Sequence, residues 1–263
     1  MNNKVSDDVR SGNIKIYQAV REAAVNFAEH LRQASFYNDF REELDLSRRL
    51  YERQELITKC LDLLGGCDNS YGHGNYHMRT VALEAGALSL IEATRRGLKS
   101  DEGTRLAVLA QISGLLHDIK RKEKNHAEAG AVAAQDYLLL LSIAERERGY
   151  IITAIKNHEA FKDQSPIDGF EGAIISEALY DADKFRWGPD NFTITLWSML
   201  EYGQIRPEDF LSHYPKGIEG VIKIRDTFRS LTGKKYGPEF IDLGLMIGEK
   251  IYETLKLMVT GQE

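Results

Sequence analysis

Apolar residues recur every three to four positions along most of the chain, which is the spacing of one face of an α-helix. Between residues 14 and 31 this stripe contains Ile16, Tyr17, Val20, Ala23, Ala24, Phe27 and Leu31. The same helical spacing continues over residues 76–96 and through the apolar run that ends at Leu115-Leu116. No segment shows a convincing alternation of apolar and polar residues, as a half-buried strand would. The pattern therefore predicts an all-α fold.

Glycine, proline and capping residues divide this pattern into separate helices. Gly65-Gly66 and Gly97 are predicted to end two helices, and Ser100 to cap the start of the next one. Residues 125–128 resemble a capping box with Asn in the Ser/Thr role, which predicts a helix from His126 to residue 141. Further helices are predicted at 149–159, 172–185, 192–202, 217–231 and 239–259, with breaks at Pro166, Gly188-Pro189, Pro207, Pro215 and Pro238.

The composition does not shift along the 263 residues, which favours one continuous domain. Within it, residues 1–66 are interpreted as an N-terminal helical extension packed on the core. Residues 67–263 then form the core with the C-terminal helices. Hydrophobic residues make up 43% and charged residues 28%, as in ordinary folded proteins.

Charge and hydropathy exclude several classes of function. The 34 basic residues are outnumbered by 40 acidic ones, so general nucleic-acid binding is not expected. No apolar stretch approaches the roughly 18 to 20 residues that span a membrane, and the N-terminus has no signal-peptide pattern. Cys60 and Cys67 are too few for a disulfide framework, which predicts a reducing, cytoplasmic location.

The histidines are the strongest indication of chemistry. Five of the seven fall between residues 73 and 158, and Asp181 and Asp183 follow them; the five are His73, His77, His117, His126 and His158. Imidazole and carboxylate are ligands for several divalent metals, and helical bundles collect such ligands from facing helices. Asp118 ends a buried apolar run, where an unpaired carboxylate would be costly. A metal would be a suitable partner.

Three motifs in order resemble the HD superfamily of metal-dependent phosphohydrolases. They are Gly-His-Gly-Asn-Tyr-His-Met-Arg-Thr-Val at 72–81, Leu-Leu-His-Asp-Ile at 115–119 and Asp-Ala-Asp-Lys-Phe at 181–185. The resemblance covers roughly residues 70–186 and implies a helical bundle with the metal centre between its core helices. The ligands it implies are His77, His117, Asp118 and Asp183. Asp183 is preferred to Asp181 because the last motif of the family usually reads Ala-Asp-Lys/Arg-Leu.

Subfamilies with two metals resemble this chain in having further histidines at the positions of His126 and His158. The sequence Asn-His-Glu at 157–159 departs from members that carry a double histidine there. The alternative is that both side chains contact phosphate or cap helices. The resemblance thus implies a divalent metal as cofactor, with one ion or two, and does not distinguish Mn, Fe, Co, Ni, Mg and Zn.

Basic residues beside these motifs are candidates for contacts with phosphate. Asp118 and Lys120 are the predicted catalytic residues, and Lys122, Lys184 and Arg186 are predicted to bind substrate; Arg121 is an alternative contact. Lys and Arg suit phosphate as charge partners, although a charged loop is usually only solvated. The His-Asp-x-x-Glu-Asp motif of alarmone hydrolases is absent, because positions 121 and 122 are Arg and Lys.

The resemblance implies hydrolysis of a phosphoester, such as a nucleotide or another small phosphorylated metabolite, by metal-activated water. One alternative is a di-iron oxygenase built on the HD fold, which the six candidate ligands would also suit. Another is a nucleotide-binding signalling module without turnover. Residues 204–263 carry no recognisable motif, and two alternatives stay open for them: they cover the mouth of the active site, or they form a homodimer contact.

Overall fold

The computed structural model describes residues 2–65 and 75–261, and this part of the chain contains α-helices but no β-strand. The all-α prediction is therefore confirmed. Cys67, His73 and the loop predicted around them lie outside the described residues. The twelve helices are α1 (Asn2–Glu29), α2 (Phe36–Asp39), α3 (Arg41–Arg53), α4 (Glu55–Leu63), α5 (Asn75–Arg95), α6 (Ser100–Leu116), α7 (His126–Leu139), α8 (Glu145–Lys156), α9 (Gly169–Phe185), α10 (Leu196–Gly203), α11 (Pro207–Ile224) and α12 (Leu231–Thr260).

Helices α5, α6 and α9 form the centre of the bundle. Most residues of α6 from Leu106 to Leu116 are buried, and α5 is buried almost continuously from Val81 to Ala93. Helices that are apolar on all sides belong in the interior. Small residues let α5 and α6 approach closely, since Gly114 lies directly against the backbone of Ala82. This close crossing lies one turn before His117.

A tight turn reverses the chain between α5 and α6. Gly97 adopts a φ of 74°, and the N–H groups of Gly97 and Leu98 donate to the carbonyls of Thr94 and Ala93. This is the Schellman arrangement, which favours glycine at the left-handed position. The predicted stop at Gly97 is confirmed, and the turn sets α6 antiparallel to α5. The start of α5 and the end of α6 therefore lie at the same end of the bundle.

The remaining helices surround this centre. Helix α8 packs on both α9 and α7, while α3 packs on α5. Helix α1 lies along α12, and α11 also packs on α12, where the Tyr214 hydroxyl donates to the carbonyl of Gly248. The proposed boundary at residue 66 stays a prediction. None of the described helices combines the length and apolar character that a membrane span requires.

Two of the predicted helix breaks are wrong. Pro215 lies within α11 and Pro238 lies within α12. A proline inside a helix removes one backbone hydrogen bond and costs about 3 kcal/mol. Burial of the apolar faces of both helices outweighs this cost, because Tyr214, Phe240 and Ile241 beside the two prolines are nearly inaccessible to solvent.

The predicted caps also differ in detail. Ser100 is the first residue of α6 rather than its N-cap, and the N–H of Lys99 instead donates to the Glu102 carboxylate at 2.9 Å. Asn125 precedes α7 as predicted, but its side chain caps no backbone N–H, and its carbonyl accepts from Ala129. Helix α8 ends at Lys156, so residues 158 and 159 lie in the following loop rather than in a helix.

Candidate metal centre

The six predicted metal ligands meet at one end of the bundle, each at or near the end of a helix. His77 lies in the first turn of α5, His126 begins α7, and Asp183 lies in the last turn of α9. His117 and Asp118 directly follow α6, and His158 follows α8 by two residues. The antiparallel packing of the helices thus gathers residues that are far apart in sequence.

One group of donor atoms lies between α5, α6 and α9. The Nε2 atoms of His77 and His117 are 3.2 Å apart. Asp183 Oδ1 lies 3.4 Å from the first and 3.7 Å from the second of these nitrogens. Asp118 Oδ2 lies 3.8 Å from His77 Nε2 and 3.5 Å from His117 Nε2. Four donor atoms therefore converge on one small volume.

A second group lies beside the first and shares Asp118 with it. The other carboxylate oxygen, Oδ1, lies 3.7 Å from His126 Nε2 and 3.5 Å from His158 Nε2. In each of the two groups the atoms of one histidine pair and Asp118 lie within 4.8 Å of one another. Asp118 thus presents one oxygen to each group.

Hydrogen bonds behind the histidines orient them toward the centre. His117 Nδ1 lies 2.7 Å from the carbonyl of Gly114, and His158 Nδ1 lies 2.6 Å from the carbonyl of Ile155. A carbonyl only accepts, so each Nδ1 carries a proton and each ring turns its Nε2 toward the centre. His126 Nδ1 lies 3.0 Å from Glu159 Oε1, and this contact likewise turns the Nε2 atom of His126 toward the centre.

The electrostatics keep the carboxylates charged and the central imidazole neutral. Burial lowers the pKa of His117 to about 4, against the opposing effect of Asp118 and Asp183. Burial alone would raise the pKa of Asp118, but His117, His158 and Arg121 outweigh it and hold this pKa well below its usual range. The pKa of Asp183 is likewise low, because Lys184 and His77 outweigh burial. Neutral imidazole and ionised carboxylate are the forms that bind metals.

The donor set fits divalent metal ions. His158 Nε2 is buried and has no hydrogen-bond partner among the described residues, a situation that costs free energy unless a ligand compensates it. Nitrogen and carboxylate oxygen donors, with outer contacts behind His117, His126 and His158, are typical of catalytic metal sites. His77, His117 and Asp183 would hold one ion, His126 and His158 the other, and Asp118 both.

The structure separates the two aspartates of α9. Asp183 faces the histidines, whereas Asp181 points to the connection between α11 and α12 and accepts from the backbone N–H groups of Arg229 at 2.8 Å and Ser230 at 2.9 Å. Burial raises the pKa of Asp181 to about 7, partly offset by these bonds. A side chain at Gly233 would collide with the Asp181 carboxylate. The structure therefore places Asp183, and not Asp181, beside the histidine nitrogens.

In the basic loop after Asp118, the residue that reaches the donor atoms is Arg121, the alternative contact of the sequence analysis. Lys120 is exposed, with its ammonium 3.4 Å from Glu123, and Lys122 is exposed as well. Arg121 lies between them and reaches the centre, where its Nη1 donates to His126 Nε2 at 2.9 Å. The catalytic role of Lys120 and the substrate contact of Lys122 stay predictions. For His126 to bind a metal through Nε2, Arg121 must move away.

Lys184 and Arg186 differ in their access to the centre. The Lys184 ammonium lies 2.5 Å from Asp183 Oδ2, next to the donor atoms. Arg186 is buried and its guanidinium contacts Glu84 at 2.6 and 2.7 Å, Asp190 at 2.6 Å and the Tyr37 hydroxyl at 3.0 Å. This network joins α2, α5 and α9 behind the centre. Substrate binding by either residue stays a prediction.

Sequence reasoning did not single out three residues near the centre as part of a site. Glu159 is the acid directly after His158, and an acid next to a candidate ligand histidine is a sequence signal for a carboxylate close to the site. Glu84 follows His77 by two helical turns on α5, and its burial follows from the apolar run around it. Arg229 lies in the C-terminal third, where no motif marks it, and only the fold brings it to α8 and α9.

Comparison with known proteins adds one similarity of fold. The chain is similar to a predicted HD superfamily hydrolase from an uncultured Thermotogales bacterium, whose crystal structure was determined at 1.45 Å resolution. The identity is 19%, the alignment covers 81% of this chain and 91% of the other, and the TM-score is 0.40. No protein-family model and no curated protein sequence matches the chain.

Proposed function

We propose that this protein is a metal-dependent phosphohydrolase of the HD type that acts on a small phosphorylated substrate, such as a nucleotide. One observation carries the proposal: Asp118 presents its two oxygens to two separate groups of donors, His77 and His117 on one side and His126 and His158 on the other. This arrangement would suit a pair of metal ions, which is a common means of hydrolysing phosphoesters. The three sequence motifs support the same class of reaction.

The residues around the centre have distinct tasks in this proposal. A bound divalent metal supplies a water of lowered pKa, near 7, and polarises a phosphoryl oxygen. The ionised Asp118 orients the attacking water, and Asp183 and the histidines fix the geometry. The guanidinium of Arg121, 2.9 Å from His126 Nε2, is close enough to exchange this contact for a phosphoryl oxygen. It would then offset the charge that develops during the reaction.

Metal content and phosphatase activity measured together test the proposal. We expect the purified protein to hold about two equivalents of metal per chain, and His117→Ala to lose both metal and hydrolysis of p-nitrophenyl phosphate or nucleotides. His158→Ala should keep the first metal and lose the second. His213→Ala, at an exposed histidine of α11, is the control and should behave like the wild type. Full hydrolysis by His117→Ala or Asp118→Ala would refute the proposal.

The same six ligands favour one second candidate, a di-iron oxygenase, because a carboxylate shared between two histidine-rich groups also suits a pair of irons. The two candidates differ in their need for oxygen. Turnover of a phosphoester under anaerobic conditions supports the hydrolase. Substrate-dependent oxygen uptake by the iron-loaded protein, without phosphate release, would support the oxygenase instead.

A further inference from the structure

Arg229 lies in the connection between α11 and α12, next to the candidate metal centre. Its Nη1 donates to the carbonyl of Asn157 at 2.6 Å, directly before His158. Its Cζ lies 3.4 Å from the centroid of the Tyr180 ring, so the guanidinium stacks on this buried side chain. The position is fixed further by the bond from the Arg229 backbone N–H to Asp181. Arg229 is therefore held in place by both α8 and α9.

This guanidinium lacks the partner that a partly buried charge usually has. Burial lowers its pKa, against the opposing effect of Tyr180, Asp181 and Glu177, and no carboxylate of the described residues lies within ion-pair distance of it. Arg225, four residues earlier and more exposed, pairs with Asp242 at 2.9 Å. Of its five N–H donors, one is used by the Asn157 carbonyl within the described chain. Several donors are therefore available to an anion.

A second cation borders the same aromatic ring. The Lys184 ammonium lies 5.1 Å from the Tyr180 centroid and also contacts Asp183 Oδ2. Lys184 thus borders both the candidate metal centre and the Tyr180 ring, and Arg229 borders the same ring.

We propose that Arg229 and Lys184 form a subsite for a second phosphate, so that the protein prefers substrates with two linked phosphates over simple monoesters. This inference rests on the proposed phosphohydrolase function and specifies its substrate class. Lys184 contacts the phosphate next to the metal centre, and the guanidinium of Arg229 binds the following phosphate through two N–H groups. Such planar, two-point contacts are the reason that Arg suits phosphate recognition.

Binding of inorganic pyrophosphate and inorganic phosphate, compared by calorimetry, tests the subsite without requiring turnover. We expect Arg229→Met, which keeps an apolar stem on Tyr180, to weaken pyrophosphate binding by about 10- to 100-fold, the loss typical of charge-assisted hydrogen bonds. Phosphate binding should change less than about threefold, because a single phosphate stays at the centre. The matched control is Arg225→Met, which should leave both affinities unchanged.

Arg229→Lys gives a second variant, because it keeps the charge if the methionine variant does not fold. It should retain part of the preference for pyrophosphate. An equal loss of phosphate and pyrophosphate binding, or no loss of either, in a folded Arg229 variant would overturn the subsite. Reduced stability with an unchanged ratio of the two affinities would mean that Arg229 only caps α8, and would overturn it as well. Failure of the hydrolase proposal would instead appear as binding without hydrolysis in the wild type.

Discussion

Substitution of Gly114 by alanine tests how the close crossing of α5 and α6 determines the geometry of the candidate centre. A Cβ atom at this position would lie 2.6 Å from Ala82 Cα and 2.7 Å from Ala82 N. Both contacts are with backbone, so no rotation of a side chain relieves them. The two helices must separate by several tenths of an ångström.

The cost follows from two opposing effects. Overpacking of a well-packed core costs about 1–3 kcal/mol. Alanine in place of glycine in a helix recovers up to about 1 kcal/mol. Because the clash is with backbone, we expect the upper part of the overpacking range and a net loss of about 1–2 kcal/mol in the free energy of unfolding.

The same displacement should reach the candidate metal ligands. His77 precedes Ala82 by five residues on α5, and the carbonyl of Gly114 itself accepts the Nδ1–H of His117 at 2.7 Å. Changes in such outer contacts typically reduce metal affinity about 10- to 100-fold. We therefore expect Gly114→Ala to bind metal that much more weakly than the wild type.

Urea denaturation and metal titration of purified Gly114→Ala measure the two effects. The matched control is Gly149→Ala on α8, where a Cβ would meet no atom within 4 Å, and which should be neutral or stabilising. Wild-type stability together with wild-type metal affinity in Gly114→Ala would refute the link between this crossing and the centre.

Two further predictions concern buried charge. Glu84→Gln should lower the free energy of unfolding, measured in urea, by about 3–5 kcal/mol, because it leaves the buried Arg186 guanidinium without its strongest partner. The double variant Glu84→Leu, Arg186→Leu should recover most of this loss. A double variant whose loss of stability equals the sum of the single losses would contradict the pairing. In metal-free protein, the pKa of His117 is about 4 in the folded state, against its usual value of 6.5. Between pH 6.5 and pH 4 the unfolded state therefore binds more protons than the folded state. The free energy of unfolding thus falls as pH decreases through this range. Urea midpoints across this range should show a flatter dependence for His117→Asn, and equal slopes would show that His117 is not buried in the neutral form.

The sequence predicted the fold class and the identity of the clustered side chains because both depend on local pattern. The apolar stripe of each helix and the left-handed glycine at Gly97 are determined by neighbouring residues. His117 and Asp118 stand out because they end a long apolar run, and the motifs add His77 and Asp183. Their mutual distances then follow from helix ends that meet at one end of the bundle.

The errors arise where tertiary packing outweighs local preference. Pro215 and Pro238 are strong helix breakers in isolation, yet both lie within long helices whose apolar faces are buried against neighbours. The catalytic role of Lys120 stays a prediction, but the sequence alone does not distinguish the placement of Lys120 from that of Arg121, since the turn after α6 determines that Arg121 faces His126. The direction of a side chain in an irregular loop depends on backbone angles, and the spacing of apolar residues does not predict these angles.

The two aspartates of α9 show how the C-terminal region becomes part of the chemistry. Asp183 faces the candidate metal ligands, while Asp181, two residues earlier, points to the other side of the helix and accepts from the backbone N–H groups of Arg229 and Ser230. Two residues along a helix correspond to a rotation of about 200°, so the two carboxylates must face nearly opposite directions. The last turns of α9 therefore position Asp183 at the candidate metal centre. On the opposite face of the same helix, Asp181 holds the loop that carries the guanidinium of Arg229. A substitution such as Asp181→Ala should thus disturb pyrophosphate binding through this loop while the six donor residues remain in place.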